Sequence, residues 1–217
     1  MTPSARFSPL AALTAMAAMV VVVVSANILV QYPVNGMLGP INLADILTWG
    51  AFTYPAAFLV NDLTNRRFGP AAARKVVLVG FVLAVALSFL LAEPRIALAS
   101  GSAFLLAQLL DVTIFDRLRA SAWWKAPVVS SIIGSVLDTV LFFGLAFATV
   151  FTPVLGADNP FATESAPLFG VFALEAPRWI SWALGDFVVK LLVAGALLAP
   201  YRVLLAVFGM SPRPSVA

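Results

Sequence analysis

No charged residue occurs between Arg6 and Asp45, and the run from 9 to 30 within that window is almost wholly apolar. Wound as a helix at 1.5 Å per residue, such a run crosses the roughly 30 Å of bilayer hydrocarbon. Backbone amides in lipid must be satisfied inside the segment that carries them, so this kind of run dictates a helix. Five more apolar runs follow, at about 44–63, 71–91, 95–115, 126–149 and 179–207. A cleavable signal peptide competes for the first run, but its core is too long for one and more spans follow. The sequence therefore predicts an all-α polytopic membrane protein, a single transmembrane domain over 1–217 with six spans. Proline marks the breaks: Glu93 and Pro94 predict a tight turn, and Pro55 interrupts the second span. The one long loop is expected at 152–177, rich in proline and acidic residues.

Composition narrows the chemistry. Hydrophobic residues make up 62% of 217 positions and charged residues 11%, outside the usage of soluble domains. With 0 cysteines and 0 histidines, thiolate nucleophiles, Ser-His-Asp triads and His-based zinc sites are excluded, and no cofactor is expected. No phosphate-cradling G-x-x-x-x-G-K-S/T loop occurs, so ATP hydrolysis by that route is excluded too. The net charge of +3 does not point to nucleic acid, because the basic residues fall between spans rather than in one patch. Arg6, Arg66, Arg67, Arg74, Lys75, Arg117, Arg119, Lys125, Arg202 and Arg213 fall on one side, and only Arg95 and Arg178 on the other. The positive-inside rule then predicts both termini in the cytoplasm, with Asp158, Glu164 and Glu175 facing outward.

Polar residues inside the spans recur at helical spacing. Asn27 and Gln31 are four apart in the first span; Ser100, Phe104, Gln108, Asp111 and Phe115 form a stripe in the fourth. Ser131, Ser135, Asp138 and Phe142 do so in the fifth, and Trp182, Asp186 and Lys190 in the sixth. The second span adds Phe52, Tyr54, Phe58 and Asp62. Structural readings stand beside functional ones. Asp62 has Arg66 one turn away, Asp111 lies near the cytoplasmic headgroups, and Asp186 and Lys190 can neutralise each other. Asp138, about twelve residues into its helix and so roughly 18 Å deep, needs a partner from another helix or from a ligand. The shared phrase of aspartate followed four residues later by phenylalanine, in QLLDVTIF and SVLDTVLF, suggests an internal repeat.

The segments NILVQYPV, TWGAFTYPAAFLVNDLTNRRFG, LLAQLLDVTIFDRLR, WWKAPVVSSIIGSVLDTVLFFGLAF and GDFVVKLL resemble the queuosine precursor transporter family, also described as vitamin-uptake-like. The similarity is collinear from about 27 to 205 and departs in the loop at 152–177. The resemblance implies import of 7-cyano-7-deazaguanine or its aminomethyl form across the bacterial inner membrane, for salvage into tRNA queuosine. It implies no enzymatic activity. The expected partners are a deazapurine substrate and the lipid bilayer; a homodimer is allowed, while nucleic acid and energy-coupling proteins are not expected. Such a base offers adjacent N–H donors that a carboxylate accepts in pairs, and flat rings that stack on aromatic side chains. Asp138, with Asp62 or Asp111 as second candidate, is expected to hold the donor edge between Phe52, Phe58, Phe104 or Phe142. Asn27, Gln31 and Gln108 are expected to read the carbonyl and ring nitrogens, with Ser135, Asp186 and Lys190 completing the site. Two other classes compete. One is the substrate-binding membrane subunit of an energy-coupling-factor importer. The other is an intramembrane aspartyl protease, for which Gly185 and Asp186 supply half of a Gly-x-Gly-Asp motif whose first glycine position holds Ala183. A buried carboxylate could couple uptake to protons, or the carrier could simply equilibrate a base that metabolism traps.

Overall fold

The computed structural model describes residues 8–156 and 159–210, so Arg6, Asp158 and Arg213, which enter the orientation argument, lie outside the described residues. The chain is mostly helical: α1 Pro9–Leu29, α2 Gly50–Thr53, α3 Ala56–Phe68, α4 Pro70–Leu91, α5 Pro94–Leu118, α6 Lys125–Phe147, α7 Thr152–Leu155, α8 Pro160–Thr163 and α9 Arg178–Val207. Among the described residues two small antiparallel hairpins join them, β1 Met37–Leu38 with β2 Ile41–Asn42, and β3 Ser165–Pro167 with β4 Glu175–Pro177.

Helix boundaries follow local chemistry. Ser8 caps α1 by accepting the Ala11 amide at 3.2 Å, and Pro9 occupies the first turn, where no donor is needed. Gly69 closes α3 at φ +88°, a conformation that costs glycine little, and Pro70 starts α4 at once. Arg95, nearly buried, caps the C-terminal end of α6, donating from Nε to the Leu145 carbonyl at 2.9 Å and from a terminal nitrogen to that of Ala148 at 2.7 Å.

Among the described residues five helices, α1, α4, α5, α6 and α9, are long and apolar enough to cross a membrane. The expected second span at 44–63 is not one continuous helix. Residues 43–45 form a 3₁₀ turn, and Leu47 and Thr48 pair with the strand-like stretch after α1, Val34 donating to the Leu47 carbonyl at 3.0 Å. Regular helix begins at Gly50, is interrupted at Tyr54 and Pro55, and resumes to Phe68. The cause is Pro55, which has no amide to donate and whose ring crowds the preceding turn. The expected loop at 152–177 is largely ordered, folded into α7, α8 and the β3–β4 hairpin.

α5 lies along both α4 and α6, α1 lies along α4, and α9 packs on α6 and on the kinked α2–α3 segment. Where α5 meets α6, Gly134 comes so close to Ala107 that a Cβ on it would lie 3.5 Å from the Ala107 carbonyl oxygen, the small-residue device that lets membrane helices approach closely. Met19, Val76, Val77 and Phe104 fill the space between α1, α4 and α5. Outward faces carry exposed Val82, Leu90, Val140, Leu192 and Val203, apolar surface that only lipid would accept over this extent. At the start of α2, a Cβ on Gly50 would lie 2.9 Å from the Cα of Val30, and backbone cannot swing aside. Gly50→Ala is therefore expected to cost about 1–3 kcal/mol through overpacking. A lower melting temperature of the detergent-solubilised variant would register it; an unchanged one would refute the close approach.

Candidate functional site

One large cavity, of about 820 Å³, opens where the C-terminal ends of α1 and α6 meet the N-terminal ends of α5 and α9. Its volume lies in the about 300–1,000 Å³ range of small-molecule sites. The floor is ionic. Lys190 Nζ donates to Asp138 Oδ2 at 2.6 Å and to Asp186 Oδ2 at 2.5 Å, bridging α9 to α6. Tyr54, at the kink before α3, donates its hydroxyl to Asp138 Oδ1 at 2.9 Å, and its ring lies 5.2 Å from Lys190 Nζ. Thr139 donates to Asp186 Oδ2 at 3.1 Å. Two carboxylates and one ammonium leave this group one formal negative charge, held where screening by water is weak.

The two acids are not equivalent. Both oxygens of Asp138 are engaged and its side chain is only 6% exposed, whereas that of Asp186 is 16% exposed. The Lys190 and Thr139 bonds of Asp186 both fall on Oδ2, which leaves Oδ1 available to a ligand.

The walls are aromatic. Phe142, Phe143, Phe147, Phe161 and Trp182 line one side, with Phe147 edge-on to Trp182 at 5.5 Å and Phe161 tilted against it at 6.1 Å. Asn27 faces in from α1, its Oδ1 accepting the Ser88 hydroxyl at 3.3 Å. The β3–β4 hairpin contributes Ala166, Pro167 and Phe169, and the amide of Phe169 donates to Ser181 Oγ at 2.9 Å. At the rim Arg178 pairs with Glu164 at 3.1 Å and lies over the Phe161 ring at 4.7 Å.

Of the residues expected from sequence, the cavity brings together Asn27, Asp138, Phe142, Asp186 and Lys190. Phe58 and Phe104 are buried beneath it, edge-on to Tyr54 at 6.4 and 6.1 Å. Ser135 is buried on α6 outside the lining, its hydroxyl unbonded. Gln31 and Phe52 lie outside the lining, exposed. Asp62, Gln108 and Asp111 form a separate buried group between α3 and α5. Asp186 and Lys190 do pair along one helix, but the same ammonium also satisfies Asp138 across helices.

Sequence reasoning left Tyr54, Thr48, Asp45, Phe143, Phe147 and Ser181 out of the site. Phe143 and Phe147, four apart, carried a helical-spacing signal that would have extended the Phe142 stripe. Ser100 and Trp182 were visible on such stripes. Asp45, Thr48 and Phe169 arrive on irregular backbone, where periodicity says nothing.

Comparison with known proteins is consistent with a membrane carrier. A family model described as "Putative vitamin uptake transporter" matches residues 48–93 and 86–205. The queuosine precursor transporter of Escherichia coli (strain K12) is 34% identical over 206 residues, 85% of this chain and 81% of that protein. The probable queuosine precursor transporter of Haemophilus influenzae is 34% identical over 182 residues, covering 74% and 69% respectively. That of Bacillus subtilis (strain 168) is 30% identical over 132 residues, covering 48% and 58%. No solved structure matches the chain.

Proposed function

The chain belongs to the vitamin uptake transporter family, whose relatives above are named queuosine precursor transporters, and on that premise we propose that it imports queuosine precursors across the bacterial inner membrane. The substrates are 7-cyano-7-deazaguanine and 7-aminomethyl-7-deazaguanine. The observation that carries this reading is the Asp186 carboxylate, braced by Lys190 and Thr139 and still open on Oδ1, at the floor of an aromatic-walled cavity. The open Oδ1 accepts from the N–H donors of the deazaguanine edge, and Phe142, Phe147 or Trp182 offers faces for the rings. Asp138 acts one step back: it holds Lys190 and Tyr54, and through Lys190 the orientation of Asp186. Nothing in the relatives' names supports the energy-coupling-factor alternative. The test is uptake of labelled deazaguanines by a salvage-dependent strain expressing this chain alone. Uptake at the empty-vector level, with the protein inserted, would defeat the proposal.

The kinked segment is the sixth crossing in this reading. From Gly50 to Phe68 it covers 19 positions, or roughly 28 Å at helical rise. With the basic end of the bundle in the cytoplasm the termini are cytoplasmic and the cavity opens outward. The chain has 0 cysteines, so a single Val171→Cys in the exposed turn between β3 and β4 reports the side directly. A membrane-impermeant maleimide is expected to label it in spheroplasts. Labelling only after permeabilisation would reverse the orientation.

A further inference from the structure

The group that the cavity does not absorb sits toward the basic end of the bundle. Asp62 of α3 and Asp111 of α5 are at most 2% exposed and within hydrogen-bond reach of each other, with Ser130 of α6 beside them. Asn61, fully buried, donates from Nδ2 to Asp111 Oδ2 and to Gln108 Oε1, both at 3.1 Å. Around this knot the Oδ1 atoms of Asn61, Asp62 and Asp111 and the Nε2 of Gln108 are buried without a bonding partner. Acceptors outnumber donors, and a group so placed calls for an explanation.

The charges do not balance either. Facing the pair are Arg66 from α3, Tyr201 from α9, and the uncharged Ser130 and Gln108. The Arg66 guanidinium is itself spent, donating to the Tyr201 hydroxyl at 2.5 Å and to the carbonyls of Arg119 at 3.1 Å and Trp123 at 3.5 Å. One cation cannot neutralise two dehydrated carboxylates, and two carboxylates in contact do not both ionise. A proton between them supplies the missing charge and the missing donor at once.

We propose that Asp62 and Asp111 together bind one proton, and that this is the ion carried inward with each substrate. The coupling half of the proposal rests on the transporter reading above. α3 supplies the link, since Tyr54 at its head touches Asp138 in the cavity and Asp62 lies eight residues on, about 12 Å along the axis. A substrate bound at Asp186 thus acts, through Lys190, Asp138 and Tyr54 in turn, on the helix that holds Asp62. A void of about 20 Å³, lined by Asp62, Ser131 and Tyr201 among others, lies beside the carboxylate and is large enough for one water to relay the proton.

Infrared spectra of the purified protein test the site without any substrate. The carbonyl stretch of a protonated carboxyl group is expected at neutral pH, persisting in Asp138→Asn and vanishing in both Asp62→Asn and Asp111→Asn. Its absence from the wild-type spectrum, or its survival in both of the latter variants, overturns the proton site whatever the protein transports. Coupling is read in liposomes with labelled 7-cyano-7-deazaguanine and the membrane potential clamped at zero. One proton per neutral base permits about tenfold accumulation per unit of pH gradient. Asp62→Asn and Asp111→Asn are expected to lose accumulation while retaining exchange of labelled for unlabelled base. Exchange without accumulation in the wild type, or accumulation driven by sodium in the absence of a pH gradient, refutes coupling and leaves the import reading standing. Absence of exchange in the wild type refutes the import reading instead.

Discussion

Asp186→Asn is expected to lower the initial rate of deazaguanine uptake on the order of 100-fold per inserted protein, with the fold preserved. The asparagine keeps its oxygen toward Lys190 and Thr139 and puts an amino group where Oδ1 was open, which meets the N–H of the base as donor against donor. A charge-assisted hydrogen bond contributes about 1.5–3 kcal/mol, and a buried donor left unpaired costs about 1–3 kcal/mol more. The sum, discounted for partial exposure of Asp186, falls near 2–4 kcal/mol, which brackets two orders of magnitude in rate. Folding survives because Lys190 keeps its 2.6 Å bond to Asp138, a neutral pair instead of a group with one excess charge. Uptake is to be compared with membrane abundance measured on the same cells. Wild-type rates in this variant would remove Asp186 from the site and with it the geometric basis for a purine-like substrate.

Lys190→Met should do the reverse damage, striking stability before transport. The ammonium is the cation shared by Asp138 and Asp186, and with it gone two buried acids meet around Thr139 with only hydroxyl donors left. Removing one partner of a buried ion pair costs about 3–5 kcal/mol, a large part of a total stability that is usually about 5–15 kcal/mol. The melting temperature of the solubilised protein is expected to fall by roughly 6–20 °C for a chain of this size. A triple variant that also carries Asp138→Asn and Asp186→Asn should recover part of the loss, because it leaves no uncompensated charge. If Lys190→Met melts like the wild type, the ion triad does not hold α9 to α6. If the triple variant recovers nothing, the loss comes from packing around the lysine stem rather than from charge.

Much of this site was legible as spacing within single helices. Asp138 and Phe142 are four apart, as are Asp186 and Lys190, and both pairs face the cavity from one helix each. Spacing alone grouped Asp62, Gln108 and Asp111 with them, since every stripe was polar and aromatic in the same way. The structure separates the two sets by depth. Asp111 lies near the C-terminal end of α5, whereas Ser100, which lines the cavity, lies near its start, so one stripe serves two places. The kink at Tyr54 and Pro55 was readable, but hydropathy cannot tell a continuous span from an apolar stretch half spent on irregular backbone. Tyr54 therefore stood as aromatic surface and not as the residue that anchors Asp138.

The sequence by itself determined that the chain is a helical membrane protein without thiol or imidazole chemistry, and it determined which face of each helix is polar. Apolar length, proline, glycine and the 3.6-residue turn are local properties, written in consecutive residues. Only the tertiary structure decided that Lys190 serves two acids, that Asp186 is the one left open, and that Asp62 and Asp111 face each other instead of the cavity. Those facts depend on the register between helices, which is set by how closely residues such as Gly134 and Ala107 let neighbouring backbones approach, and no stretch of one helix carries that distance.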